Sequence, residues 1–194
     1  MVPDRFRVSV TCSWRRGAMQ DTLDTAEWLR SLGYKVTPHL AAGTIKDKEH
    51  LRDIVAFLGA HDISEVFVVG GDKQLYSNNK GFRNGLELIH SLADVGGFDG
   101  TIRCVGLPGY PANHPSISEE ALQCTLLQKQ DLLLQCGVRG YVTTQICFDP
   151  AVTISWVKRM RKCQLHLPVV VGVPGCVQLT KLLRLCKEVD IGES

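Results

Sequence analysis

Short apolar runs alternate along the chain with longer stretches in which apolar positions recur every three or four residues. The first pattern suits a strand buried on both faces, the second an amphipathic helix. "FRVSVTC" (6–12), "YKVTPHL" (34–40), "EVFVVGG" (65–71), "TIRCVGL" (101–107), "YVTTQICF" (141–148) and "LPVVVGV" (167–173) read as strands. Between and after them lie helical stretches at 24–33, 47–61, 82–95, 118–137, 150–163 and 178–189. Their ends carry helix signals: Asp47 and Ser118 as caps, Pro150 in a first turn, Gly33 and Gly137 as stops. Six βα units in succession predict a parallel sheet covered by helices. Two architectures satisfy that pattern: a (β/α) barrel, which normally has eight units, and an open doubly wound sheet.

Composition narrows the class. The chain has 194 residues, 44% of them hydrophobic, and no linker or low-complexity stretch interrupts the alternation, so a single domain over 1–194 is expected. No apolar run is long enough to span a bilayer, and the N-terminal residues show no secretion signal. A formal charge of +2 gives no electrostatic reason to expect nucleic acid. The basic group Lys158, Arg159, Arg161 and Lys162 reads first as a solvated helix end. The eight cysteines include no C-x-x-C pair and no zinc-type spacing. Many sit among apolar neighbours, as free thiols do in a reducing compartment, which points to the cytoplasm and to no bound metal.

In both architectures the ligand lies beyond the carboxyl ends of the strands. The residues that follow the strands are chemically distinctive: "TCSWRRG", His39, "GGD" with Asp72, "GYPANHP" with Tyr110 and His114, Gln145, and "GVPG". The opposite ends carry short turns such as "GYK" and "GVRG". Taken singly, Asp72 reads as a turn residue, His39 as a core histidine, and Gln145 as an amide satisfied by backbone. Arg15 and Arg16 read equally as a solvated turn or a clamp on phosphate or carboxylate. Their common rim makes a site. Glycine fingerprints for dinucleotides, Walker loops and serine nucleophile elbows are absent from the sequence.

"RVSVTCSWRRG", "TPHLAA", "VFVVGGD", "GYPANHP", "YVTTQICFD" and "LPVVVGVPG", in this order, resemble the methylenetetrahydrofolate reductase family over essentially the whole chain. The short, single-domain bacterial-type members are the most similar. The resemblance implies a TIM-type (β/α)₈ barrel with FAD at its carboxyl rim, reducing 5,10-methylenetetrahydrofolate to 5-methyltetrahydrofolate with NADH or NADPH. The six strands then correspond to barrel strands two to seven, so an incomplete barrel, truncated at both ends, is expected. By resemblance, Thr11, His39, Asp72, Tyr110, His114 and Lys129 are cofactor-binding residues. Asp72 and Gln145 hold the pterin and are the catalytic candidates. The prolines of "GYPANHP" keep Tyr110 and His114 in place before a ligand arrives.

The chain departs from the family pattern in two places. The strand-one glutamate that acts as the acid is absent, and Gly70 stands where the flavin enzymes carry an arginine. Two further readings follow. One is an inactive barrel that serves as an interaction or regulatory module. The other, disfavoured by the absent glycine fingerprint, is an open sheet binding a different nucleotide. The unpaired edges of an incomplete parallel sheet predict self-association.

Overall fold

The computed structural model describes residues 6–12, 17–70, 81–176, 178 and 180. Along the chain run β1 (Arg7–Val10), α1 (Ala18–Ser31), β2 (Lys35–Ala41), a 3-10 turn (Ala42–Thr44), α2 (Lys48–Ala60), β3 (Glu65–Val69) and α3 (Gly85–Asp94). They are followed by β4 (Cys104–Gly109), α4 (Glu119–Gln135), β5 (Arg139–Thr144), α5 (Pro150–Lys162) and β6 (Val169–Val170). The strand order is β1-β2-β3-β4-β5-β6. The pairs β1–β2, β2–β3, β3–β4 and β5–β6 are parallel. That order decides between the two architectures. A doubly wound sheet reverses direction at a switch point, whereas this order never reverses. The fold is an incomplete α/β barrel of TIM type.

The chain divides into two compact units. The first comprises Met1–Leu107 with Asp131–Gly140, and the second Pro108–Gln130 with Tyr141–Ser194. In the first unit, Val66, Phe67 and Val68 of β3 are all buried, as a strand covered on both faces requires. Leu51, Ile54 and Leu58 form the buried stripe of α2, and Leu88, Ile89 and Leu92 that of α3. Asp47 Oδ1 caps α2 by accepting His50 N–H at 2.9 Å. Asn84 Oδ1 likewise accepts Glu87 N–H at 2.9 Å, and Glu87 reaches back to Arg83 N–H at 2.8 Å. This pair of bonds starts α3 at Gly85, three residues later than its apolar pattern suggests. α1 starts earlier than expected, at Ala18, because Gly17 turns the chain with φ 82° and the buried stripe extends back through Leu23 to Met19.

In the second unit, Pro150 opens α5 and Asp149 Oδ1 accepts Ala151 N–H at 2.7 Å. Gly109 sits where an added Cβ would lie 2.8 Å from both Trp156 Cη2 and Val142 Cγ1. Glycine is therefore required at the end of β4 for α5 and β5 to pack there. Gln130, on α4, is buried and ties that helix to the segment entering β6. Its Oε1 accepts His166 N–H at 2.6 Å and Leu167 N–H at 3.2 Å, and its Nε2 donates to Gln164 O at 2.9 Å. The helix expected at 178–189 lies almost wholly outside the described residues. Among the described residues, seven cysteines form no disulfide, and no helix is long and apolar enough to cross a membrane.

Candidate functional site

In the first unit, β1 ends at Val10 and places Thr11 just beyond its carboxyl end. The Thr11 side chain is exposed, and its carbonyl accepts a long 3.4 Å bond from Thr22 Oγ1 on α1. His39 lies inside β2, two residues before the strand's end at Ala41, whereas the sequence pattern placed it at the tip. Cross-strand register pairs it with Phe67, and the two rings stack with centroids 4.7 Å apart. Burial holds its pKa below the ordinary histidine value, so the imidazole is neutral at neutral pH. Gly70 follows β3, and a Cβ there would meet nothing within 4 Å. Among the described residues, packing therefore does not demand glycine at the position where the resemblance puts an arginine. Asp72, Arg15 and Arg16 lie outside the described residues.

The second unit brings three of the sequence candidates together. Gln145 N–H donates to Gly109 O at 2.7 Å, so Gln145 lies beside the start of the Tyr110 loop. The Gln145 Oε1 accepts the following amide, Ile146 N–H, at 3.1 Å. Its carboxamide NH2 is then the half left to meet a ligand. Tyr110 is largely buried, and burial pushes its phenol pKa up, so the hydroxyl stays protonated as a donor. His114 stands edge-on to Tyr110, with ring centroids 5.0 Å apart and planes at 86°. The loop between them reverses through Asn113 at φ 69°, a conformation asparagine tolerates better than most side chains. A bridge between His114 and Ile117 closes the turn.

Lys129 projects from α4 and is nine-tenths buried. Among the described residues no carboxylate or hydrogen-bond acceptor meets its ammonium, and burial alone lowers its pKa to about 8. It sits ten residues after Glu119, about 15 Å along the helix from the loop end. Sequence reasoning did not single out Phe67, which stacks on His39, or Ser116, whose N–H donates to His114 Nδ1 at 3.2 Å. Neither carries a motif signal, because one acts by register and the other through its backbone.

A recess of about 210 Å³ in the first unit is lined by Arg7, Arg30, Lys35, Val36, Asp62 and Ser64. It lies at the amino ends of β1 to β3, away from the tips, a face that serves stability in barrels of this type. Its arginines are committed to the fold. Arg7 pairs with Glu65 at 3.2 Å, and Arg30 bonds Asp62, His61 O and Tyr34 O.

The family model described as methylenetetrahydrofolate reductase matches residues 4–193. The chain belongs to the methylenetetrahydrofolate reductase family. It is thereby a member of an oxidoreductase family whose members are generally flavin-dependent. Among solved structures it is similar to a candidate phosphonomutase from Burkholderia cenocepacia J2315, with 14% identity and a TM-score of 0.47, covering 91% of this chain and 82% of that one. It is also similar to the GH20 beta-N-acetylhexosaminidase from Streptomyces coelicolor A3(2), with 9% identity and a TM-score of 0.48, covering 86% of this chain and 47% of that one.

Proposed function

We propose that the chain binds a reduced folate and catalyses the NAD(P)H-dependent reduction of 5,10-methylenetetrahydrofolate to 5-methyltetrahydrofolate in the cytoplasm. The observation that carries this reading is the family match together with the bond from Gln145 N–H to Gly109 O, which draws two family motifs to one place. Gln145 offers its carboxamide NH2 to an acceptor on the pterin edge, since its own carbonyl is engaged by Ile146 N–H. Asp72 accepts from the pterin N–H donors. Holding the flat ring still is the protein's main contribution, because orientation converts an encounter into a near-unimolecular step.

The described residues fit a flavin: Tyr110 provides a half-buried neutral hydroxyl, and Lys129 a buried lysine that meets no carboxylate among the described residues. Tyr110, His114 and Lys129 of the second unit would hold it, Thr11 and His39 of the first are assigned to the cofactor by resemblance alone, and a bound flavin would supply the hydride. A charged group at His39 would raise the cost of seating a neutral ring, and burial keeps that imidazole uncharged.

Purified chain tests the reading by calorimetric titration with 5-methyltetrahydrofolate, by its visible spectrum, and by NAD(P)H oxidation in the presence of the methylene folate. Asp72→Ala and Gln145→Ala are each expected to abolish folate binding while leaving the thermal melt unchanged. Undiminished affinity in both variants overturns the proposal.

A further inference from the structure

The loop after β4 contains a bond that fixes the chemistry of His114. Ser116 N–H lies 3.2 Å from His114 Nδ1, and Ser116 Oγ lies 3.4 Å from the same atom. A backbone amide can only donate, so Nδ1 must present its lone pair, and the proton of the neutral ring must sit on Nε2. We propose that the Ser116 backbone amide is a positioning group that locks His114 as the Nε2–H tautomer, so that His114 meets its ligand only as a hydrogen-bond donor. The class of ligand atom it selects is an acceptor oxygen or nitrogen, such as a phosphate oxygen or a ring carbonyl. A ligand N–H in that place would find no lone pair.

The surrounding turn is built to hold this arrangement. Asn113 supplies the left-handed residue, Pro115 stiffens the step between the two bonded residues, and the His114–Ile117 bridge closes the turn. Tyr110 stands edge-on to the imidazole, which restrains rotation of the ring. The serine hydroxyl is secondary, because the amide alone dictates the tautomer.

The statement about ligand class rests on the proposed function, whereas the tautomer does not. The full chain labelled with ¹⁵N-histidine reports it directly, through long-range proton–nitrogen correlations of the imidazole ring, with His114 assigned by its loss in His114→Gln. The expected spectrum of the neutral ring shows an unprotonated Nδ1 and a protonated Nε2. Ser116→Ala, which keeps the amide, leaves that pattern intact. Ser116→Pro, which removes the N–H, yields a mixture of tautomers. A mixed or Nδ1–H pattern in the unaltered chain overturns the proposal, and so does an unchanged pattern in a folded Ser116→Pro. The unaltered chain settles the matter even if the proline variant does not fold. Titration with FAD and, separately, with 5-methyltetrahydrofolate is expected to shift the Nε2–H signal with one of them. A fixed tautomer that neither ligand moves overturns the donor role at this site and leaves the tautomer lock standing.

Discussion

Lys129 is the residue whose environment is most at odds with its chemistry. Lys129 is nine-tenths buried and meets no counter-charge among the described residues, so its ammonium costs the fold free energy, and the pKa of about 8 expresses that cost. The unfolded chain holds this proton up to about pH 10.5, whereas the folded chain releases it above about pH 8. Between those values the unfolded state binds more protons, so stability rises with pH across that window. Below pH 8 both states are protonated and the penalty is borne in full. Lys129→Met is therefore expected to stabilise the ligand-free chain at pH 7 by on the order of 3 kcal/mol. The advantage should shrink steadily as the pH climbs from 8 toward 10.5. Urea melts at a series of pH values measure it, and a variant less stable at pH 7 would show that an anion already neutralises the amine. Tyr110, His114 and Gln145 were legible as site candidates because their residue types stand out beside glycine and proline. Ser116 was not, because what it contributes is an amide that every residue but proline carries. The burial of Lys129 was equally hidden, since a lysine on a polar-looking helix gives no sign of facing inward.

At the scale of elements, sequence pattern located every described strand and helix, and its errors fall where a cap or a long-range bond decides the boundary. α1 runs back to Gly17 because a left-handed glycine can begin a helix without a side-chain cap. The strand expected at 101–107 runs instead as Cys104–Gly109, since Ile102 N–H closes a turn onto Gly97 O before pairing starts. β6 shrinks to Val169–Val170, and Gly172 leaves the strand to donate its N–H to Thr144 Oγ1 at 2.9 Å. A Cβ at Gly172 would collide with the Thr144 carbonyl oxygen, so the approach of these two segments depends on that glycine. Gln130 is the other element-level tie, joining α4 to the segment before β6 by three bonds. Its replacement by alanine strands the amides of His166 and Leu167 in a partly buried place. Gln130→Ala is expected to cost about 1–3 kcal/mol. A denaturation midpoint unchanged from the parent would mean that water replaces all three bonds.

At the scale of the whole molecule, the strand order has two ends. Among the described residues, β1 pairs only with β2, and β6 only with β5. An unpaired edge offers a row of amides and carbonyls to any other chain, and soluble proteins usually guard such edges with charge or proline. The two edges differ in that respect. β1 begins with Arg7, whose guanidinium reaches Glu65 and places charge beside the strand. Among the described residues β6 has no comparable guard: Val170, Val171 and Val173 are each at least half exposed, and two arginines of α5 are engaged elsewhere, Arg159 paired to Glu119 and Arg161 bonded to Leu165 O and Leu167 O. An all-valine strand is suited to burial on both faces, so leaving it exposed sacrifices apolar contact that a second chain can restore. The chain is therefore expected to self-associate through β6, with light scattering giving a mass above 21.4 kDa that grows with concentration. Val170→Lys puts a charge into the middle of that edge. It should return the scattering mass toward the monomer while leaving folate affinity untouched, since the substitution lies on no residue assigned to the ligand. A parent chain that scatters as a monomer at every concentration would show that the edge is already satisfied. A lysine variant that remains associated would move the interface to other exposed apolar residues of the second unit, such as Phe148 and Ile154.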